Sequence, residues 1–410
     1  MLKQLDRAYF ALFRECPLLL RLAVVTGAGQ LAFALLNIYA LPVYLVQDLH
    51  LSGKALGAAT STFLLCEMLL KFPMGRLSDR FGRKPFIVLG PLLICLNPIL
   101  IVRLPVRLWA LVFPVRAVDG VGAAALWPPL FAMAGDVARS RSRAAAMSVL
   151  NTVYVGAIAG AAIVGSFAAH LAGSDRFPFY LASGLLFLSA LTGYWGLPRV
   201  PVCPPEPGQD ETPLAPPTAA DMAEPSDTPY PIAVVLTISL LMTLGVLTLA
   251  QFLILYVGQE LDLSRLSVGV LLAALGVPVL LLGLPLGHAA DRWGKSRTVR
   301  VSLAASAVAM WAIPFCHTVA TFSAVGVFLV LSQVAAMPAW LALVSELAPA
   351  NRRGGVMGLV ATAEGAGATL GPLLGGALWD LGPRNIFFGS AVLLTLAAIV
   401  AALTLRAKGR

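Results

Sequence analysis

Residues 75–85 read GRLSDRFGRKP, and residues 287–297 read GHAADRWGKSR. Around both phrases the chain is apolar: 59% of its 410 residues are hydrophobic and only 12% are charged. A soluble domain carries about 25% charged residues. The apolar stretches run past the ~20 residues needed to cross the hydrocarbon layer. The composition describes a multi-span membrane protein, and the charged phrase is a short loop between spans, written once in each half.

Working outward from that loop, apolar runs predict helices near 19–46, 54–75, 85–102, 107–135, 144–170 and 177–197. A second set follows near 231–257, 267–288, 299–317, 320–345, 355–379 and 386–405. With the N-terminus cytoplasmic, twenty-one Lys and Arg fall in inside segments and six in outside loops, Lys71 and Arg116 lying within spans. That bias is the one expected of cytoplasmic loops. The net charge of +9 therefore reports orientation and excludes nucleic acid as the expected partner.

Residues 198–230 are rich in proline and acidic side chains and read as an extended cytoplasmic connector. It divides the chain into an N-terminal six-helix bundle, 1–197, and a C-terminal one, 231–410. The halves repeat in register. Gly75, Asp79, Arg80 and Gly82 correspond to Gly287, Asp291, Arg292 and Gly294 at a constant spacing of 212. Asp136, Arg143, Met147 and Gly165 correspond to Glu346, Arg353, Met357 and Gly375 at a spacing of 210. The expected fold is all-α, with twelve transmembrane helices in two pseudo-symmetric six-helix bundles. Parallel repeats of this kind serve transporters that rock around a midplane site.

The repeated loop has the chemistry of a conformational latch built from Gly75, Asp79, Arg80, Gly82, Arg83, Asp291 and Arg292. Gly75 permits close approach and Gly82 a tight turn. Asp79 suits the positive end of a neighbouring helix, where an anion gains ~0.3–1 kcal/mol. The basic residues can pair with carboxylates or meet anionic lipid head groups.

Placed between the second and third of twelve spans, Gly75 to Lys84 resembles the signature loop of the major facilitator superfamily. The resemblance covers essentially the whole chain and implies alternating access around a central cavity. NIYALPVYL, 37–45, and RAVDGVGAAALWPP, 116–129, resemble the first- and fourth-span motifs of the twelve-span drug:proton antiporters. Carried over, Arg116 is the buried arginine tied to proton coupling, with Gly120 and Gly122 allowing close helix contact. The fifth-span antiporter pattern departs: Gly156, Gly160 and Gly165 are present without the proline. The full pattern, Gly367 to Gly376 with Pro372, lies in the eleventh span.

Ionisable residues inside spans mark function by default. Arg116 and Asp119 share one helical face and can pair. Glu67 lies twelve residues before Asp79, about 18 Å along a helix, and Glu364 lies at similar depth. These four are the proton-coupling candidates. Burial drives a carboxylate near Arg116 toward the neutral form and the cation drives it back. Glu67 and Asp119 both stand as the titrating group, with Glu67 preferred for access, and a static Arg116–Asp119 pair is the competing structural reading. Gln30, Asn37, Tyr44, Trp127, Phe131 and Tyr154, with Gln251, Tyr256, Gln333 and Trp340 from the second half, form the expected lining for an amphipathic, cationic molecule.

The four histidines stand apart, five cysteines show no metal spacing, and no phosphate-cradling G-x-x-x-x-G-K-[ST] loop occurs. The sequence therefore predicts no enzyme, no metal site and no cofactor, with the proton gradient as energy source. The expected function is secondary active transport, foremost proton-coupled export of hydrophobic or amphipathic compounds from a bacterial-type inner membrane. Both termini are placed in the cytoplasm, and the expected partners are a small-molecule substrate and membrane lipid, the protein acting as a monomer. A dedicated carrier for a metabolite, sugar or lysolipid, and a sensor that no longer moves solute, are the alternatives.

Overall fold

The computed structural model describes residues 17–137, 143–198, 232–264, 266–276, 282, 293–347 and 353–405. Asp291, Arg292 and nearly all of the expected connector at 198–230 lie outside the described residues. No strand occurs among the described residues, and ten helical segments are long and apolar enough to cross a membrane.

The first half comprises α1 (Pro17–Ala34), α2 (Gly53–Phe81), α3 (Arg83–Ile94), α4 (Asn97–Arg103), α5 (Val112–Val137), α6 (Arg143–Ala172) and α7 (Phe177–Gly196). In the second half, α8 (Ile232–Leu249), α9 (Leu253–Glu260) and α10 (Leu266–Gly276) precede α11 (Lys295–Ala312). The chain ends with α12 (Val319–Leu347), α13 (Arg353–Leu381) and α14 (Asn385–Thr404).

Several predicted spans are not single α-helices. Beyond α1 the helix widens into π-turns at Leu35–Ala40 and Val43–Asp48, the amide of Leu41 reaching the carbonyl of Leu36. Pro42 between them has no N–H to continue the ordinary i→i−4 ladder. The predicted span 85–102 breaks into α3 and α4, with Pro98 at the start of the second piece. The predicted span 231–257 breaks at 250–252, where the amide of Phe252 bonds the carbonyl of Leu249 at 2.9 Å. Of the predicted span 267–288, the described part is α10 and residue 282.

Two compact units result: one within Met1–Leu51, Thr62–Pro207 and Ser264–Val270, the other within Ser52–Ser61, Gly208–Leu263 and Leu271–Arg410. Inside the first, α1 packs on α6 and α7, and α3 packs on α5 and α7. Inside the second, α8 packs on α13 and α14, and α11 packs on α12 and α14. Those are the same pairings, helix for helix, that an internal repeat demands.

Smaller devices repeat as well. Ser189 Oγ on α7 donates to the carbonyl of Val25 at 3.1 Å, and Ser390 Oγ on α14 donates to that of Gly245 at 2.6 Å. Gly82 and Gly294 each cap the following helix with φ of 91° and 89°, a region where a Cβ is penalised.

Glycines decide where helices touch. A Cβ on Gly165 would sit 2.9 Å from the Cβ of Tyr39, whereas Gly156 and Gly160 have nothing within 4 Å. In the second unit Gly367, Gly371 and Gly375 all press on the backbone or side chains of α8 and the Phe252 that follows it. There the Asp380 carboxylate also accepts from the amides of Gly53 and Lys54, at 2.6 and 3.2 Å, capping the start of α2.

Candidate functional site

Within the first unit, α5 carries Arg116 and Asp119 on successive turns of one face. The guanidinium Nη1 donates to Asp119 Oδ2 at 2.7 Å, and the two side chains are 0% and 2% exposed. The other carboxylate oxygen accepts from Asn97 Nδ2 at 2.7 Å, and that amide also reaches the carbonyl of Val115 at 3.4 Å. Nη2 of Arg116 donates to Asn37 Oδ1, whose own amide nitrogen is anchored to the carbonyl of Phe33 at 2.7 Å. The cation is thus held from its own helix and from the π-turn of the first span, and the carboxylate it pairs with is braced from the break between α3 and α4.

Gly120 brings α2 against this network. A Cβ there would fall 2.5 Å from the Phe63 carbonyl, 2.7 Å from the Cβ of Cys66 and 2.9 Å from the Glu67 amide. That contact places the Phe63 ring 4.5 Å under the Arg116 guanidinium, a cation–π geometry. It also seats Glu67, 8% exposed, within electrostatic reach of Arg116. The remaining partner of Glu67 is Lys71, at 2.9 Å and 52% exposed. On the other flank Gly122 and Gly90 let α5 and α3 approach, each glycine's Cβ position lying 2.7–2.8 Å from the other's carbonyl.

An aromatic ladder leads away from the charges. Phe63 packs on Phe33 with centroids 5.9 Å apart, and Phe33 on Trp127 at 5.8 Å. Trp127 meets Tyr154 edge-on at 5.2 Å and Phe131 at 6.4 Å. The indole also reaches α1, at 3.8 Å from where a Cβ of Gly29 would stand, next to the buried Gln30. Phe33, Phe63 and Trp127 are buried in this ladder, and Phe131 and Tyr154 at its far end are partly exposed.

The other expected lining residues are placed elsewhere. Tyr44 stacks edge-on against Phe179 at 5.3 Å, and its hydroxyl donates to the Val102 carbonyl at 3.3 Å. In the second unit Tyr256 is wedged between Phe322 and Phe387, and Trp340 sits in the apolar core with its indole N–H on Ser239 Oγ at 3.0 Å. All three side chains are buried among these neighbours. Gln251 is buried at the break after α8 with neither amide atom paired among the described residues, and the carbonyl oxygen of Gln333 is likewise unpaired. Glu364 is half-buried on α13 of the second unit.

The latch loop gathers around Arg83, which pairs with Asp136 at the end of α5 and approaches Asp79 at 3.6 Å. Asp79 itself is 66% exposed. Arg80 lies over the Phe81 ring at 5.5 Å, and Gly75 faces Pro128. Sequence reasoning missed Asn97, Phe33 and Phe63. An asparagine inside an apolar run, and aromatics one turn before Asn37 and Glu67, were the available signals.

The profile of the Major Facilitator Superfamily matches residues 22–258 and 235–410. Multidrug resistance protein 1 of Bacillus subtilis (strain 168) is 26% identical over 355 residues, 86% of this chain and 87% of that protein. Quinolone resistance protein NorA of Staphylococcus aureus (strain MRSA252) is 30% identical over 150 residues, 36% of this chain and 37% of that protein. Among solved structures, a bacterial homolog to the human lysosomal transporter Spinster, inward-facing and unoccupied, gives a TM-score of 0.79 at 16% identity, covering 95% of this chain and 96% of that one. A D-xylose-proton symporter gives 0.75 at 15% identity, covering 94% and 97%. At these identities the structural likeness speaks for the fold alone.

Proposed function

This chain belongs to the Major Facilitator Superfamily, and we propose that it exports hydrophobic or amphipathic small molecules in exchange for protons. As a member of that family it is a multi-span membrane transporter and not an enzyme. The observation that carries the finer reading is the Arg116–Asp119 pair, fully buried and cross-braced, with Glu67 beside it at the head of an aromatic ladder. The names of the drug-resistance relatives favour the same substrate class.

In this reading Arg116 supplies a fixed positive field and Glu67 exchanges the proton. Among the described residues Glu67 forms an ion pair with the half-exposed Lys71, worth at most about 1 kcal/mol, and feels the field of Arg116, so a proton or a cationic substrate can compete with that lysine for the carboxylate. Neutral Glu67 releases a bound cation and charged Glu67 holds it, which is the competition that antiport requires. The Arg83–Asp136–Asp79 cluster serves as the latch, on the cytoplasmic side of a bacterial-type inner membrane, with both termini inside. Membrane lipid and the transported molecule are the partners of a monomer.

The test is transport of ethidium in proteoliposomes under an imposed pH gradient. Uptake should collapse with a protonophore and in Glu67→Gln. If Glu67→Gln and Asp119→Asn both keep full gradient-driven transport, proton coupling at this site is wrong. Stabilisation of the purified protein by sugars or lysolipids, without response to ethidium, would identify a dedicated carrier instead.

A further inference from the structure

We propose that Asn97 is a positioning residue that keeps Asp119 ionised, so that the proton exchanged in each cycle is confined to Glu67. The inference rests on the proton-coupling reading above and assigns a role to a residue which that reading does not use.

The argument starts from the break between α3 and α4. Asn97 is the first residue of α4, beside a proline, and 6% exposed. A polar amide at that depth needs partners. It has two acceptors for its two hydrogens: Asp119 Oδ1 at 2.7 Å and the Val115 carbonyl at 3.4 Å. Both acceptors belong to α5, so the amide is fixed in orientation by one rigid element.

The consequence lies at Asp119. Burial by itself favours the neutral acid. Here Oδ2 receives an N–H from Arg116 and Oδ1 receives one from Asn97. A proton added to either oxygen would remove the negative charge and weaken both oxygens as acceptors for the N–H donors they already hold. Two donors, one charged, therefore hold the carboxylate as an anion against its burial. The titratable and charged groups facing the pair are Glu67 and Cys66 from α2, with Tyr154 of α6 within reach of Glu67. Among the described residues no side-chain donor besides Lys71, which is half-exposed, bonds Glu67. Of the two buried carboxylates near one arginine, Asp119 is clamped by two side-chain donors and Glu67 is paired with a half-exposed lysine.

Removing the clamp should free Asp119 to take up a proton. Asn97→Leu keeps the bulk and deletes the donor. Asn97→Asp keeps the shape and sets two carboxylates against each other, so that one must hold a proton. Infrared difference spectra of reconstituted protein, titrated with acid, read protonated buried carboxyl groups directly and need no substrate. Glu67→Gln should remove one titrating carboxyl band from the wild-type spectrum. Asn97→Leu should add one further carboxyl per protein, lost when Asp119→Asn is introduced, and Asn97→Asp should add one as well.

A merely structural Asn97 would lower the melting temperature of the leucine variant and add no band. If neither Asn97 variant gains a protonated carboxyl, the proposal is overturned while the role of Glu67 stands. If instead the wild-type band survives Glu67→Gln, the coupling assignment fails, and the extra Asp119 band in Asn97→Leu still reports on the clamp by itself.

Discussion

Gly120→Ala is the sharpest perturbation of the site, because one methyl group would enter a contact between two backbones. The added Cβ would lie 2.5 Å from the Phe63 carbonyl oxygen and 2.9 Å from the Glu67 amide nitrogen. Neither neighbour is a flexible side chain that can swing away. Restoring van der Waals separation parts α2 from α5 by roughly 1 Å. Overpacking of this kind costs about 1–3 kcal/mol, a fall of about 2–12 °C in melting temperature for a body of some 200 residues. The same displacement draws Phe63 and Glu67 away from Arg116, and a 1 Å error in a positioned group can cost on the order of 100-fold in rate. Melting in detergent and gradient-driven ethidium transport read the two effects separately. Gly156→Ala and Gly160→Ala are the controls: with nothing within 4 Å of either Cβ position, each should be neutral or gain up to about 1 kcal/mol from helix propensity. Gly120→Ala behaving like these controls in both assays would refute the packing argument and the coupling that depends on it.

Three further outcomes follow from the same geometry. Arg116→Ala leaves the Asp119 carboxylate buried with only Asn97 as donor, and breaking such a pair costs about 3–5 kcal/mol; thermal melting should drop further than in any single-residue variant of the latch loop. Gly294→Ala meets no described residue within 4 Å of its Cβ, and its conformational cost is about 1–2 kcal/mol for a side chain at φ of 89°; Gly82→Ala should match it, and a neutral result for either would contradict the shared cap geometry. Asp380→Ala removes the acceptor for the amides of Gly53 and Lys54, and a loss of about 1 kcal/mol in chemical denaturation is expected from an N-cap of this type.

Much of the architecture was legible because membrane solvation constrains it so heavily. The apolar runs, the repeat spacings of 212 and 210, and the pairing of Arg116 with Asp119 can all be taken from the letters, since each rests on local periodicity or on charge in an apolar span. Gly82 and Gly294 illustrate the best case: a glycine repeated in register is a backbone angle repeated in register. What remained hidden depends on which helix lies next to which. Nothing local shows that Asn97 meets α5, or that Phe63 reaches the guanidinium, because both contacts are made across helices. The glycines of α6 mislead in the same way. Gly156, Gly160 and Gly165 have the spacing of a packing stripe, yet only Gly165 is pressed against a neighbour. Tyr256 and Trp340 have a polar tip and an apolar body, and sequence cannot say whether the tip meets a cavity or, as for Trp340, a serine in the core.

The widened turns at Leu35–Ala40 give the first helix slack that an ordinary helix lacks. Asn37 sits inside that loosened winding while its oxygen receives the guanidinium of Arg116. Tightening the segment to regular pitch would spin Asn37 relative to Phe33 by up to about 100°, one residue's worth of rotation. A change of pitch in this segment would therefore turn Asn37 away from the arginine it holds.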